Sequence, residues 1–257
     1  MSNLLNGVNF RFSSLDDFES RGLATRAIRT LLDGPQFLAP RLYGRTQPLK
    51  QTIDPNNIEP LVDLWVPRKK ESVPGSVKFP DGMLVMEYAP KGEYLIHWKK
   101  QSEPSFAGVA GSVPWSILEE ELPRFSEFLS LVKKLIGVVN PVYGDIQNMK
   151  YSGWDTPLDL QKRLPDVPWL SIYGEPYIRL FGEAKILNAP FYKIEKLPSG
   201  HFLLQATESI LQPVPDSVRS AIRKHLCEEA FMSGARWRYK DGKAPQFDFS
   251  NVIRANT

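Results

Sequence analysis

A chain of 257 residues, 42% hydrophobic and 24% charged, lies in the globular range and carries enough apolar material for one large core. Its 32 basic and 29 acidic residues leave a net charge of +3, too balanced for a nucleic-acid footprint spread over the whole surface. The longest apolar runs, LSLV and LIGVV after Phe128, fall far short of the ~20 residues a membrane span needs, and the single cysteine, Cys227, excludes an internal disulfide.

The opening MSNLLNGVNFRFSS lacks the basic start, apolar centre and small-residue cleavage site of a secretory signal, so a cytoplasmic protein is expected. Val8 to Phe12 reads as a short strand. Ser13 or Ser14 is placed to cap a helix with Asp16 and Asp17 in its first turn, running to Leu32 and stopped by Asp33-Gly34-Pro35. From 35 to 80 the chain is rich in Pro, Gly and Asn and reads as a long loop, with one short helix from Asn57 to Trp65. Met83–Tyr88 and Glu93–Trp98 flank turn chemistry at Ala89-Pro90-Lys91-Gly92 and predict a hairpin, with Tyr94, Ile96 and Trp98 on one face. Ser102 to Gly111 reads as a loop.

From Pro123 to Val139 the apolar positions Phe125, Phe128, Leu129, Val132, Leu135, Ile136 and Val139 recur at helical spacing, the strongest periodic signal in the chain. Val142 to Met149 reads as a strand, and Asp155 or Thr156 as the cap of a short helix anchored by Leu158 and Leu164. Trp169–Tyr173 reads as a strand broken by Gly174, and Pro176–Phe181 as a helical turn with Tyr177, Ile178 and Phe181 inward. Phe191–Lys196 and His201–Thr207 predict a second hairpin. Asp216 or Ser217 then caps a closing helix, with Val218, Ala221, Ile222 and Leu226 inward and Arg219, Arg223 and Lys224 in water. The order of elements predicts an α+β fold: a single domain over 1–257 built on an antiparallel β-sheet with helices packed mainly on one face.

The catalytic inventory is thin. His97, His201 and His225 are scattered without metal-ligand spacing, so no metal and no cofactor is expected. Cys227 sits away from any helix N-terminus that would activate it. No serine lies in a nucleophile elbow, and no Gly-rich stretch matches a phosphate loop or dinucleotide fingerprint. Asp145, Asp155, Glu175 and Glu183 are the carboxylates available for acid/base work, and each has a local explanation in a turn or cap. The tail interleaves Arg236, Arg238, Lys240 and Lys243 with Trp237 and Tyr239, a pattern for single-stranded nucleic acid or for an edge strand guarded by charge.

The stretch Trp169-Leu-Ser-Ile-Tyr-Gly-Glu-Pro-Tyr-Ile-Arg-Leu-Phe-Gly182, followed by Asn188-Ala-Pro190, Leu197 and a Gly200-led strand ending in Leu-Leu-Gln205, resembles the immunity protein 52 family of bacterial polymorphic toxin systems. Tyr143-Gly144-Asp145 and Trp154 match its upstream landmarks. The resemblance covers about Val142 to Glu208, with a fainter match at Leu31 to Tyr43, and this chain carries Glu175 where the pattern has a Pro. It implies a cytoplasmic antitoxin that binds a secreted toxin, commonly a restriction-endonuclease-like nuclease delivered by type VI secretion, and blocks it stoichiometrically without catalysis. An adaptor or chaperone for a secreted effector is the alternative, and a metal-dependent enzyme a more distant one. Membrane and nucleic-acid partners are not expected. Trp154, Asp155, Tyr173, Glu175 and Glu183 are the candidate toxin-binding residues, as aromatic and acidic groups near turns that would be exposed.

Overall fold

A computed structural model describes residues 6–66, 82–89, 92–98, 105–118, 123–151, 159–232 and 242–252. The fold is α+β, with antiparallel strands, as the element order predicts. The backbone gathers into two compact units, Met1–Phe10 with Pro141–Phe247 and Arg11–Asn140 with Asp248–Thr257, so the division falls within the first strand, β1 (Gly7–Ser14).

The larger unit holds α1 (Arg21–Leu32), β2 (Leu42–Gly44), β3 (Gln51–Thr52), α2 (Glu59–Trp65), β4 (Gly82–Ala89), β5 (Gly92–Trp98), β6 (Ala107–Pro114), α3 (Trp115–Leu118) and α4 (Pro123–Val139). Its strands run β3-β2-β4-β5-β6. The β4–β5 hairpin has the predicted alternation: Tyr94, Ile96 and Trp98 are buried and His97 is exposed. Helix α4 has the predicted bounds and buries Phe128, Val132, Leu135, Ile136 and Val139, while Asn140 ends it at φ 48°. Helix α1 packs on it and buries Leu23, Ala24, Ala27, Ile28 and Leu31. Trp65, fully buried on α2, donates its indole N–H to the Phe18 carbonyl at 2.8 Å and stacks on Trp98.

Three expectations fail in this unit. Helix α1 starts at Arg21 with Ser20 as its cap, not Ser13 or Ser14. Those two serines end β1, where the Ser14 hydroxyl donates to the Val139 carbonyl at 2.8 Å and its oxygen accepts from the Asp16 amide at 3.0 Å, a local turn in place of a helix cap. Asp16 and Asp17 accordingly lie in the loop before the helix. The segment expected as a loop from Ser102 to Gly111 contains most of β6. Its Gly and Ala hide it from propensity rules, and the reason is close packing: a Cβ on Gly108 would stand 2.5 Å from the Phe12 carbonyl oxygen and 2.7 Å from the His97 ring. Within the long stretch read as a loop, β2, β3 and the predicted helix α2 are ordered elements, and 67–81 lies outside the described residues.

The smaller unit holds β7 (Pro141–Asn148), β8 (Leu170–Tyr173), α5 (Glu175–Phe181), α6 (Glu183–Leu187), β9 (Lys193–Lys196), β10 (Phe202–Gln205) and α7 (Asp216–Leu226). Its strand order is β7-β8-β10-β9, all antiparallel, with Tyr143 opposite Tyr173 and Tyr173 opposite Phe202. The predicted hairpin is therefore β9–β10. The helix expected after Asp155 begins on residues outside those described, and over 159–164, where it would continue to Leu164, the chain is not helical but makes a turn closed by bonds from the Lys162 and Arg163 amides to the Asp159 carbonyl. Asp216 is the first residue of α7 rather than its cap, which is Pro215. Ala221 is exposed on that helix, and the expected water-facing Arg219 and Arg223 are instead 24% and 16% exposed. Both guanidinium groups bind the Asp166 carboxylate, a target that periodicity cannot reveal because it lies 53 and 57 positions away. Lys224 is exposed, as expected.

Candidate partner interface

The family-like stretch builds the end of the smaller unit's sheet. Gly174 turns the chain from β8 into α5 because only a residue without a side chain fits there: a Cβ would lie 2.3 Å from the Pro141 carbonyl oxygen and 3.0 Å from Val142 Cα. Pro176 sits in the first turn of α5, where its missing N–H costs nothing. The helix buries Tyr177 and Phe181 and leaves Ile178 half-buried. Tyr177 lies 5.5 Å from the Tyr173 ring and 6.0 Å from Tyr143, and Phe181 lies 6.1 Å from Phe231. Burying two such rings contributes about 1.5–3 kcal/mol each, enough to hold a helix of two turns that would not form alone. Gly182, at φ 84°, then starts α6, and the Asn188 side chain closes it by donating to the Ala184 carbonyl at 2.7 Å.

The nominated residues separate. Tyr173 is 1% exposed, which corrects the expectation of an exposed aromatic: it stands mid-sheet between Tyr143 and Phe202 and beneath α5. Burial raises its phenol above the ordinary tyrosine range, against a hydrogen bond with Ser171 that pulls the other way. Burial likewise raises Tyr177, with the neighbouring Tyr173 adding to it. Glu175 and Glu183 are exposed as expected, but each holds its own cation, Arg179 at 2.5 Å and Lys196 at 2.6 Å. Surface pairs of this kind contribute about 0–1 kcal/mol. Their effect is to cancel the local charge, so these two acids do not form a free anionic patch. Trp154 and Asp155 lie outside the described residues, as do Arg236, Trp237, Arg238, Tyr239 and Lys240 of the basic tail.

Asp145, read from sequence as a turn or cap residue, is fully buried within β7, opposite Ser171, and accepts a hydrogen bond from Gln147 Nε2 at 3.0 Å. His201 is buried with its ring nitrogens toward the Ser199 hydroxyl and the Pro141 carbonyl, and His225 Nε2 lies 2.9 Å from the Lys185 carbonyl; both imidazoles are structural links. Cys227 is half-buried just past the end of α7. No group of three or more His, Cys, Asp or Glu able to hold a metal ion occurs among the described residues. No helix among them is long and apolar enough to cross a membrane.

The sequence reading missed the exposed apolar residues of this unit: Leu187 at the end of α6, Tyr192 just before β9, and Leu211 after β10. Their signal was an apolar side chain beside turn chemistry, but Tyr192 was absorbed into the strand expected from Phe191 to Lys196, and Leu187 and Leu211 were assigned to no element. The negative charge of Glu208, ahead of partial desolvation, raises the Tyr192 phenol above the ordinary tyrosine range.

No family model matches the chain, and no curated protein matches it. Among solved structures it is similar to the Pseudomonas aeruginosa T6SS protein PA0821, with a TM-score of 0.55 at 13% sequence identity, over 92% of this chain and 78% of that one. At that identity the likeness is one of fold.

Proposed function

We propose that this chain is an immunity protein of a type VI secretion toxin system, akin to the immunity protein 52 family. It binds a cognate nuclease-type toxin in a one-to-one complex in the cytoplasm and silences it by contact alone. The observation that carries this reading is the fold shared with a T6SS protein over nearly the whole chain. The segment Trp169 to Gly182 supports it from the sequence side: the Gly174 turn and the Tyr177 and Phe181 anchors account physically for the positions in which the chain resembles the family. The exposed Tyr192 of the smaller unit is a residue of the type that dominates binding energy.

The test is co-expression with the toxin domain encoded beside this chain's gene. Survival of cells that die when the toxin is expressed alone, with a stoichiometric complex on purification, is the expected result. Binding that leaves the nuclease active would refute neutralisation and identify an adaptor.

A further inference from the structure

The larger unit's sheet has one covered face and one open face, and the strand register fixes which residues share each. Leu42, Glu87, Glu93 and Ser112 form one row across β2, β4, β5 and β6. Gly44, Val85, Leu95 and Ala110 form the next row. On every strand the two rows are two residues apart, so they lie side by side on one face. The residues between them, Met86 and Tyr94 among these, are buried on the other face, where the Tyr94 hydroxyl donates to the Leu38 carbonyl and Trp98 stacks on Trp65 of α2. Of the two rows only Val85 is buried. By contrast, β8 is buried on both faces and β7 everywhere but at Gln147.

The centre of the open face is acidic. Glu87 and Glu93 stand directly opposite each other, and residues so paired have Cβ atoms about 4.5–5.5 Å apart. Both are half-buried, and neither has an ion pair among the described residues, unlike Glu175 and Glu183. Like charges set across a strand pair oppose the pairing, so the fold gains nothing from this arrangement. The described cations stand at the margins. Lys50 precedes the edge strand β3, and Arg11 belongs to β1 and is already engaged. Arg41, one residue before Leu42, alternates to the other side. Leu42, Val85, Leu95 and Ala110 give the acid pair an apolar floor.

We propose that the cognate toxin docks on this open face with a surface bearing lysine or arginine, one cation of which is seated between Glu87 and Glu93. The assignment rests on the immunity reading and deepens it. Two carboxylates at cross-strand distance match the several donors of a guanidinium or ammonium group. The apolar floor supplies the surrounding contact that keeps water from the pair. A nuclease presents a basic cleft to phosphate, so the sign of this pair directs the chain to the toxin's substrate cleft. A second copy of this chain is the wrong occupant because it would bring two acid pairs together, and the same charge repels nucleic acid.

The experiment is titration calorimetry of the full chain against the toxin domain encoded by the neighbouring gene, carried with its catalytic residue substituted. Glu87→Gln with Glu93→Gln is expected to weaken binding at least about tenfold and to flatten its dependence on salt. Ser112→Arg, which sets a cation opposite Glu93 within this chain, is expected to weaken it likewise. Both variants relieve the facing charges, so thermal unfolding followed by circular dichroism should stay unchanged or move upward. Binding that both variants retain in full would overturn the assignment alone. So would a fall in unfolding temperature, which would make the acid pair structural. Self-association of this chain that the variants abolish, with toxin binding untouched, would overturn it in favour of a second copy. No wild-type complex at all would overturn the immunity reading and the assignment together.

Discussion

Replacing Gly174 with alanine tests whether the turn between β8 and α5 is held by close packing. The backbone there, at φ −88° and ψ −177°, is open to any residue, so strain in the chain itself is not the issue. The added methyl is. Its carbon would lie 2.3 Å from the Pro141 carbonyl oxygen, about 1 Å inside ordinary contact, and the obstacle is backbone of β7 rather than a side chain that can swing away. Relief requires moving the start of β7 or of α5, which disturbs the Gly174 amide bond to the Val142 carbonyl at 2.9 Å and the ring contacts of Tyr177. Overpacking of this kind costs about 1–3 kcal/mol. The matched comparison is Gly137→Ala, on the exposed face of α4, where the new Cβ meets nothing within 4 Å. Helix propensity alone predicts a gain approaching about 1 kcal/mol there. Urea denaturation of the full chain, with midpoints compared at constant slope, reads both changes. Opposite signs are expected, and a neutral or stabilising Gly174→Ala would refute the packing argument.

Three further outcomes follow from the geometry. Ser20→Ala should destabilise by about 0.5–2 kcal/mol through loss of the α1 cap, and a change confined to Ser13 would contradict the observed helix start. Asp166→Ala leaves Arg219 and Arg223 partly buried without their carboxylate and should cost about 1–3 kcal/mol in chemical denaturation, more than Asp159→Ala, whose partner Lys162 is half exposed. Tyr88, Tyr94, Tyr173 and Tyr177 all have phenols raised by burial above the value of 10.0 that an unfolded chain shows. Because the folded state resists ionising them, their contribution to stability is intact below pH 10 and is lost as pH climbs above it. Tyrosinate absorbance from these residues should appear together with the loss of far-ultraviolet circular dichroism, and ionisation in a chain that stays folded would contradict their burial.

Helix α4 and the β4–β5 hairpin were legible because one dominant force, burial of a single face, writes its period directly into the sequence. Strand β6 was not, since a strand crowded by Phe12 and His97 must use glycine and alanine, which read as loop. Ser14 and Arg223 failed for a different reason. Their partners, Val139 and Asp166, are distant in sequence, and a local pattern cannot distinguish a cap from a long-range bond or a wet arginine from a paired one. The family-like stretch marked the architecture of the Gly174 turn, yet it did not reveal exposure. Tyr173 proved to be core, Glu175 and Glu183 proved to carry their own counterions, and of the exposed residues Tyr192 was hidden in the strand expected from Phe191 while Leu187 lay in a segment with no predicted element.

The proposed function stands on one measurement before any other: growth of cells that express the toxin domain encoded beside this gene, with and without this chain. Immunity predicts full rescue with a one-to-one complex recovered from the surviving cells. Continued killing, with this chain folded, abundant and unbound, would contradict it.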